Sequence, residues 1–129
     1  MGKQKCVLVI DDNKKNMELF RDLLLMRDYR VVEAFNGKTG VAVVEKENPD
    51  LIILDWQMPV MSGQETLKIL KGKPKTSGIP VLVITAYAMY KEVENIKNSG
   101  CEGFLNKPID ISEFFRVTEK LLSGMKSDC

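Results

Sequence analysis

The chain has 129 residues, with 19 Lys plus Arg against 18 Asp plus Glu, three Cys and no His. This length suits one domain with a sizeable core, and a net charge of +1 leaves no electrostatic footprint for nucleic acid or an anionic membrane surface. The missing His excludes Ser-His-Asp hydrolysis, Cys-His proteolysis and His-ligated zinc, so any phosphohistidine step must come from a partner.

Along the chain, short apolar runs alternate with segments of helical spacing. The run Cys6–Ile10 is too short for a signal peptide and reads as a strand buried on both faces. Asn13 can cap a helix starting at Lys14, whose apolar stripe carries Met17, Phe20, Leu23 and Leu24. A weaker strand signal covers residues 29–34, and Asn36-Gly37 is a turn before a second helix. Gly40 inside that helix costs about 1 kcal/mol relative to Ala, so its signal is the weakest of the helices. Asn48-Pro49-Asp50 ends it and leads to a third strand at residues 51–54. Ser62-Gly63 opens a third helix, and the stretch 72–80, with two Gly and two Pro, closes it. A fourth strand follows at 81–84, a fourth helix ends at Ser99-Gly100, and a weaker fifth strand covers 103–105. Pro108 bars strand continuation, and Ser112 falls near the start of a last helix carrying Ile111, Phe114, Phe115, Thr118, Leu121 and Leu122.

Five strand–helix repeats predict an α/β fold, a doubly wound parallel sheet with helices on both faces. Residues 1–129 are expected to form one domain, with a core over 6–122, a polar tail over 123–129 and no attached output domain. No C-x-x-C or zinc spacing joins Cys6, Cys101 and Cys129, which read as reduced thiols. Gly2 resembles a myristoylation start, but Cys6 stands where Ser or Thr is required. No apolar stretch approaches the ~20 residues of a membrane span. A soluble, cytoplasmic protein is expected.

In open parallel sheets, ligands bind at the carboxyl ends of the strands. Those ends would deliver Asp11-Asp12, Asp55, Thr85 and Lys107-Pro108 to one edge. Three carboxylates within ~5 Å repel by roughly 3 kcal/mol per pair at an effective dielectric of about 20. Lys107 offsets one charge, and a divalent cation would neutralise the remainder. Hard oxygen ligands without His or thiolate favour Mg²⁺. Such a site suggests a metal-assisted phosphoryl acceptor with one carboxylate as nucleophile.

The acidic pair Asp11-Asp12, Asp55 followed by Met58-Pro59 and Ser62-Gly63, Thr85-Ala86, and Lys107-Pro108 together resemble the CheY-like receiver domain of two-component response regulators. The resemblance covers residues 6–122. It implies a (βα)5 flavodoxin-like sheet of order 2-1-3-4-5. It further implies that Asp55 accepts a phosphoryl group from a histidine kinase or histidine phosphotransferase. Asp11, Asp12 and Asp55 would hold Mg²⁺, Asp12 more directly and Asp11 partly through water, with Gln57 adding its backbone carbonyl. Lys107 would pair with Asp55 and then with a phosphoryl oxygen, Thr85 would donate to another, and Phe104 would be the switch aromatic. The Lys107–Pro108 bond resembles one that is cis in this family. Gln57 and Tyr87 occupy positions that flank the phosphoryl group and influence its hydrolysis, and Tyr87 is expected to shield it from water.

Plainer roles stand beside these. Asp11-Asp12 could cap the first helix, Thr85 could be an ordinary strand residue, and Phe104 could be core. Met89 and Tyr90 suit a partner contact or a core cap, and Trp56 suits half-exposed packing. A monomeric regulator acting through a downstream protein effector, without nucleic-acid or membrane contacts, is the expected function. Residues 85–89 and 101–104 are similar to single-domain regulators of the DivK type, which act in bacterial cell-cycle control; a chemotaxis regulator, a phosphorelay shuttle or the receiver of a larger hybrid kinase are alternatives. A haloacid-dehalogenase-like phosphatase would need a second Asp where Gln57 stands. A flavodoxin-like cofactor protein would need a phosphate loop where Asp11-Asp12 would repel the phosphate.

Overall fold

The computed structural model describes residues 4–86 and 90–124. In chain order these form β1 (Cys6–Ile10), α1 (Lys14–Leu25), β2 (Arg30–Ala34), α2 (Gly37–Glu47), β3 (Leu51–Asp55), α3 (Gly63–Lys71), β4 (Val81–Thr85), α4 (Tyr90–Lys97), β5 (Gly103–Asn106) and α5 (Ile111–Leu122). All neighbouring strands pair in parallel, in the order β2-β1-β3-β4-β5. Both the α/β class and the strand order therefore agree with the sequence reading. No described helix is long and apolar enough to cross a membrane.

The three central strands are buried along their whole length, which is why they read as continuous apolar runs rather than as alternation. Their side chains divide by parity. Val7, Val9, Leu51, Ile53, Leu82 and Ile84 pack with α1 and α5, where Phe20 and Phe114 stack with ring centroids 5.6 Å apart. Leu8, Ile10, Ile52, Leu54, Val81 and Val83 pack with Val44 of α2, Leu67 and Leu70 of α3 and Ile96 of α4. Edge strand β2 is only partly covered, and its signal is correspondingly weak.

Local chemistry sets the boundaries. Asn13 and Asn36 accept the backbone N–H groups of Asn16 and Thr39, capping α1 and α2. Asn48 ends α2 at φ 48°, and Gly100 follows α4 at φ 90°. Ser62 and Glu65 form a reciprocal capping box on α3, an S-x-x-E signature. The cap of α5 is Asp110, which accepts from Glu113 N–H at 2.9 Å; Ser112 lies inside the helix, because Asp110 stands at the three-residue distance from that amide that an N-cap needs.

The stretch 72–80 is more than a helix breaker. Lys71 Nζ donates to the carbonyls of Ser77 and Ile79 at 3.1 and 3.0 Å and pairs with Glu102 at 2.9 Å. Glu102 also accepts Val81 N–H at 2.7 Å, so one half-buried ion pair fastens the entry to β4. Two expectations need correction. Trp56 is buried, at 4% exposure, because its ring joins the core beneath α3 and α4. Cys6 is a free buried thiol as expected, but Cys101 is disulfide-bonded. Tyr87, Met89, the side chain of Tyr90 and residues 125–129, with Cys129, lie outside the described residues.

Gly40 has a packing reason. A Cβ there would stand 2.5 Å from Ile10 Cδ1 and 2.9 Å from its Cγ1. Replacing Gly by Ala should gain helix propensity of about 1 kcal/mol but cost more through overpacking, typically about 1–3 kcal/mol. Gly40→Ala should therefore lower the urea midpoint, and adding Ile10→Val should recover part of the loss. A stabilised Gly40→Ala protein would show that β1 and α2 are not in this contact.

Candidate functional site

The parallel register carries the ends of β1, β3, β4 and β5 to one edge, and backbone hydrogen bonds continue past the strands to hold them. Asp11 N–H donates to Ala34 O at 3.1 Å, Trp56 N–H to Ile84 O at 2.8 Å, and Lys107 N–H to Thr85 O at 2.8 Å. Asp11, Asp12 and Asp55 thereby converge, each offering a carboxylate oxygen within 4.8 Å of the others. Lys107 Nζ reaches Asp55 Oδ1 at 3.2 Å. Asp11 and Asp55 are 1% and 3% exposed, while Asp12 faces solvent. These four residues and Thr85 stand where the sequence placed them.

The two buried acids carry the strain of this arrangement. Asp55 is pushed up to about 6, first by loss of hydration, then by the charge of Asp11; Lys107 opposes the rise through its charge and its hydrogen bond. Asp11 is also raised, by burial above all, although Asn13 N–H donates to its Oδ1 at 2.9 Å. Its other oxygen, Oδ2, is buried and has no hydrogen-bond partner among the described residues. A buried acceptor without a donor is costly. An orphaned carboxylate oxygen beside two more carboxylates fits a hard divalent cation, and no softer ligand stands among the three.

The segment after β3 shapes the other wall. Gly63 N–H donates to Trp56 O at 3.0 Å, and a Cβ on Gly63 would meet Trp56 Cα at 2.6 Å as well as the Asp55 carbonyl. Only glycine lets α3 begin this close to the acid. Val60 takes φ 67° on a fully exposed corner, a strained conformation for a β-branched residue. The Lys107–Pro108 bond is cis. Phe104 is half-buried against the cluster that holds Ile96 of α4.

Two contacts here had no signal in the sequence. The Trp56 indole N–H donates to Glu92 of α4. The Gln57 carboxamide bridges to β4: Nε2 donates to Thr85 Oγ1 at 2.8 Å, and Oε1 accepts Ala86 N–H at 2.9 Å. All three partners are more than 27 residues away, with separations of 36, 28 and 29, so no local spacing announces them.

Residues 7–119 match the model of the response regulator receiver domain. The chain is 37% identical over 118 residues to the polar-differentiation response regulator DivK of Brucella anthropi, covering 92% of this chain and 96% of that one. Among solved structures, it resembles the signal receiver domain of a histidine kinase from Syntrophus aciditrophicus, with TM-score 0.87 and 29% identity over 93% of this chain and 91% of that one. It also resembles the chemotaxis protein CheY4 of Vibrio cholerae, with TM-score 0.86 and 26% identity over 92% and 99% of the two chains. With the acidic cluster, the facing lysine and the strand order already in place, the chain belongs to the response regulator receiver family.

Proposed function

We propose that Asp55 is the phosphoryl acceptor of this receiver, and that the site works with Mg²⁺. The observation that carries this reading is the buried carboxylate held 3.2 Å from Lys107 beside an orphaned Asp11 oxygen. Receiver domains as a family engage histidine kinases and downstream effectors. Here the donor would be a partner phosphohistidine, since the chain has no His. An Asp55 oxygen attacks phosphorus, the P–N bond breaks, and its electron pair returns to the partner's imidazole.

Asp11, Asp12 and Asp55, with the Gln57 carbonyl, would hold the cation, which when bound offsets charge on the acids and on the transferring group. Lys107 holds a second positive charge against the developing phosphoryl oxygens. Thr85 donates to another of those oxygens, and its displacement frees space for Phe104. The surface formed by α4, β5 and α5 then changes for a protein effector. Moving a population from 1:99 to 99:1 needs about 5.5 kcal/mol of differential interaction. Two or three charge-assisted hydrogen bonds of about 1.5–3 kcal/mol each supply most of it.

The protein acts once per phosphoryl group rather than as a turnover enzyme. A phosphatase reading is weakened because Gln57 has no titratable proton and its amide is engaged with Thr85 and Ala86. Residues 6–122 are proposed to form one receiver domain, acting as a monomer in the cytoplasm. The likeness to DivK favours a cell-cycle role. The likeness to a histidine kinase's receiver supports a second reading, a receiver belonging to a larger kinase.

Incubation with acetyl phosphate and Mg²⁺ should add one phosphoryl group by intact mass. Asp55→Asn and EDTA should each abolish the addition; phosphorylation of Asp55→Asn to the wild-type extent would move the acceptor elsewhere.

A second outcome follows from Asp55 at about 6 in the metal-free fold, against about 3.9 in an unfolded chain. Between these values the native state holds a proton that the unfolded state has released. Stability is therefore lost as pH rises through this window, on the order of 3 kcal/mol when complete. In EDTA, wild type should lose stability relative to Asp55→Asn between about pH 4 and pH 7, and Mg²⁺ at pH 7 should restore it. Parallel urea-melt profiles for the two proteins would contradict this.

A further inference from the structure

The Gln57 carboxamide is half-buried and makes both of its contacts to the end of β4. Its orientation is fixed by chemistry: Ala86 N–H can only donate, so Oε1 must face it, and Nε2 then faces the Thr85 oxygen. The two bonds, at 2.9 and 2.8 Å, grip the backbone amide that directly follows β4 and the hydroxyl of Thr85, its last residue. On the phospho-acceptor reading, on which this inference rests, Thr85 is the residue that must move.

We infer that Gln57 is a positioning residue that clasps Thr85 and Ala86 in the unphosphorylated arrangement, so that its two hydrogen bonds oppose the switch. Movement of Thr85 toward a phosphoryl oxygen breaks the Nε2–Thr85 bond, because it carries the accepting hydroxyl oxygen away from Nε2. The Oε1–Ala86 bond must break as well if the amide follows. The clasp uses the side chain alone, whereas the proposed metal contact uses the Gln57 carbonyl. Shortening or replacing the side chain therefore separates the two roles. Ala86 is exposed, so its amide owes its hydrogen bond to Gln57 rather than to burial.

The test uses the full chain as wild type, Gln57→Met and Gln57→Ala. Three quantities are read: exchange of the Ala86 amide by NMR without metal, half-saturation by Mg²⁺ from Trp56 fluorescence, and half-saturation by beryllium fluoride at saturating Mg²⁺. Both variants should speed Ala86 exchange and, with Mg²⁺ saturating by its own half-saturation in each protein, tighten beryllium fluoride binding about tenfold, the worth of two ordinary hydrogen bonds removed from the resting state only. Loss of a residue that merely stabilised the loop would not tighten that binding. Unchanged Ala86 exchange, or beryllium fluoride binding that is equal or weaker in both variants, would overturn the clasp. If wild type itself binds Mg²⁺ but no beryllium fluoride, the acceptor reading fails and the opposing role of Gln57 falls with it, whereas faster Ala86 exchange would still report the bonds.

Discussion

Three carboxylates held within 4.8 Å of one another, with a single ammonium group 3.2 Å from one of them, set the terms for everything else at this edge of the sheet. The parallel register forces the convergence. Hydrogen bonds from Asp11, Trp56 and Lys107 to neighbouring strands leave the acids little room to part. Burial then raises Asp55 and Asp11, so the metal-free site trades charge for protons. With Asp55 raised to about 6 and an Asp11 oxygen left without a hydrogen-bond partner among the described residues, the site responds to any change in the charge around it.

The same crowding explains the glycines around the site. Gly63 lets α3 start against the Asp55 carbonyl, and Gly40 lets α2 lie on Ile10, one residue before Asp11. At Gly63 a methyl group would push on the backbone of Asp55 and Trp56, and at Gly40 on the Ile10 side chain. Helix propensity is given up there so that the strand ends can be covered closely. Far from the site, Lys71 and Glu102 fasten the start of β4.

The fold was legible because its signals are local. Runs such as Cys6–Ile10 and the stripe through Met17, Phe20 and Leu24 state burial directly, and Asn13 and Asn36 announce helix starts one residue ahead. The acids were legible for a related reason, since each lies at the end of an apolar run whose direction the topology fixes. What stayed hidden depends on distant pairing. Trp56 seemed half-exposed because nothing near it in sequence reveals α4 above it, and Glu92 is 36 residues away. Gln57 was expected to lend its carbonyl to the metal and to flank the phosphoryl group, but its side-chain bonds stayed hidden because their partners belong to another strand and the residue after it. Cys101 gave no spacing that distinguished a bridge from a thiol.

These hidden contacts give the site its reach. Asp55, Trp56 and Gln57 are consecutive, yet they point to three different parts of the molecule. Asp55 meets Lys107 after β5, Trp56 meets Glu92 on α4, and Gln57 meets Thr85 and Ala86 after β4. This one short segment therefore touches the end of β4, the helix α4 and the residue that follows β5. Three covalently joined residues make all of these contacts, and each partner is remote in sequence from the segment itself.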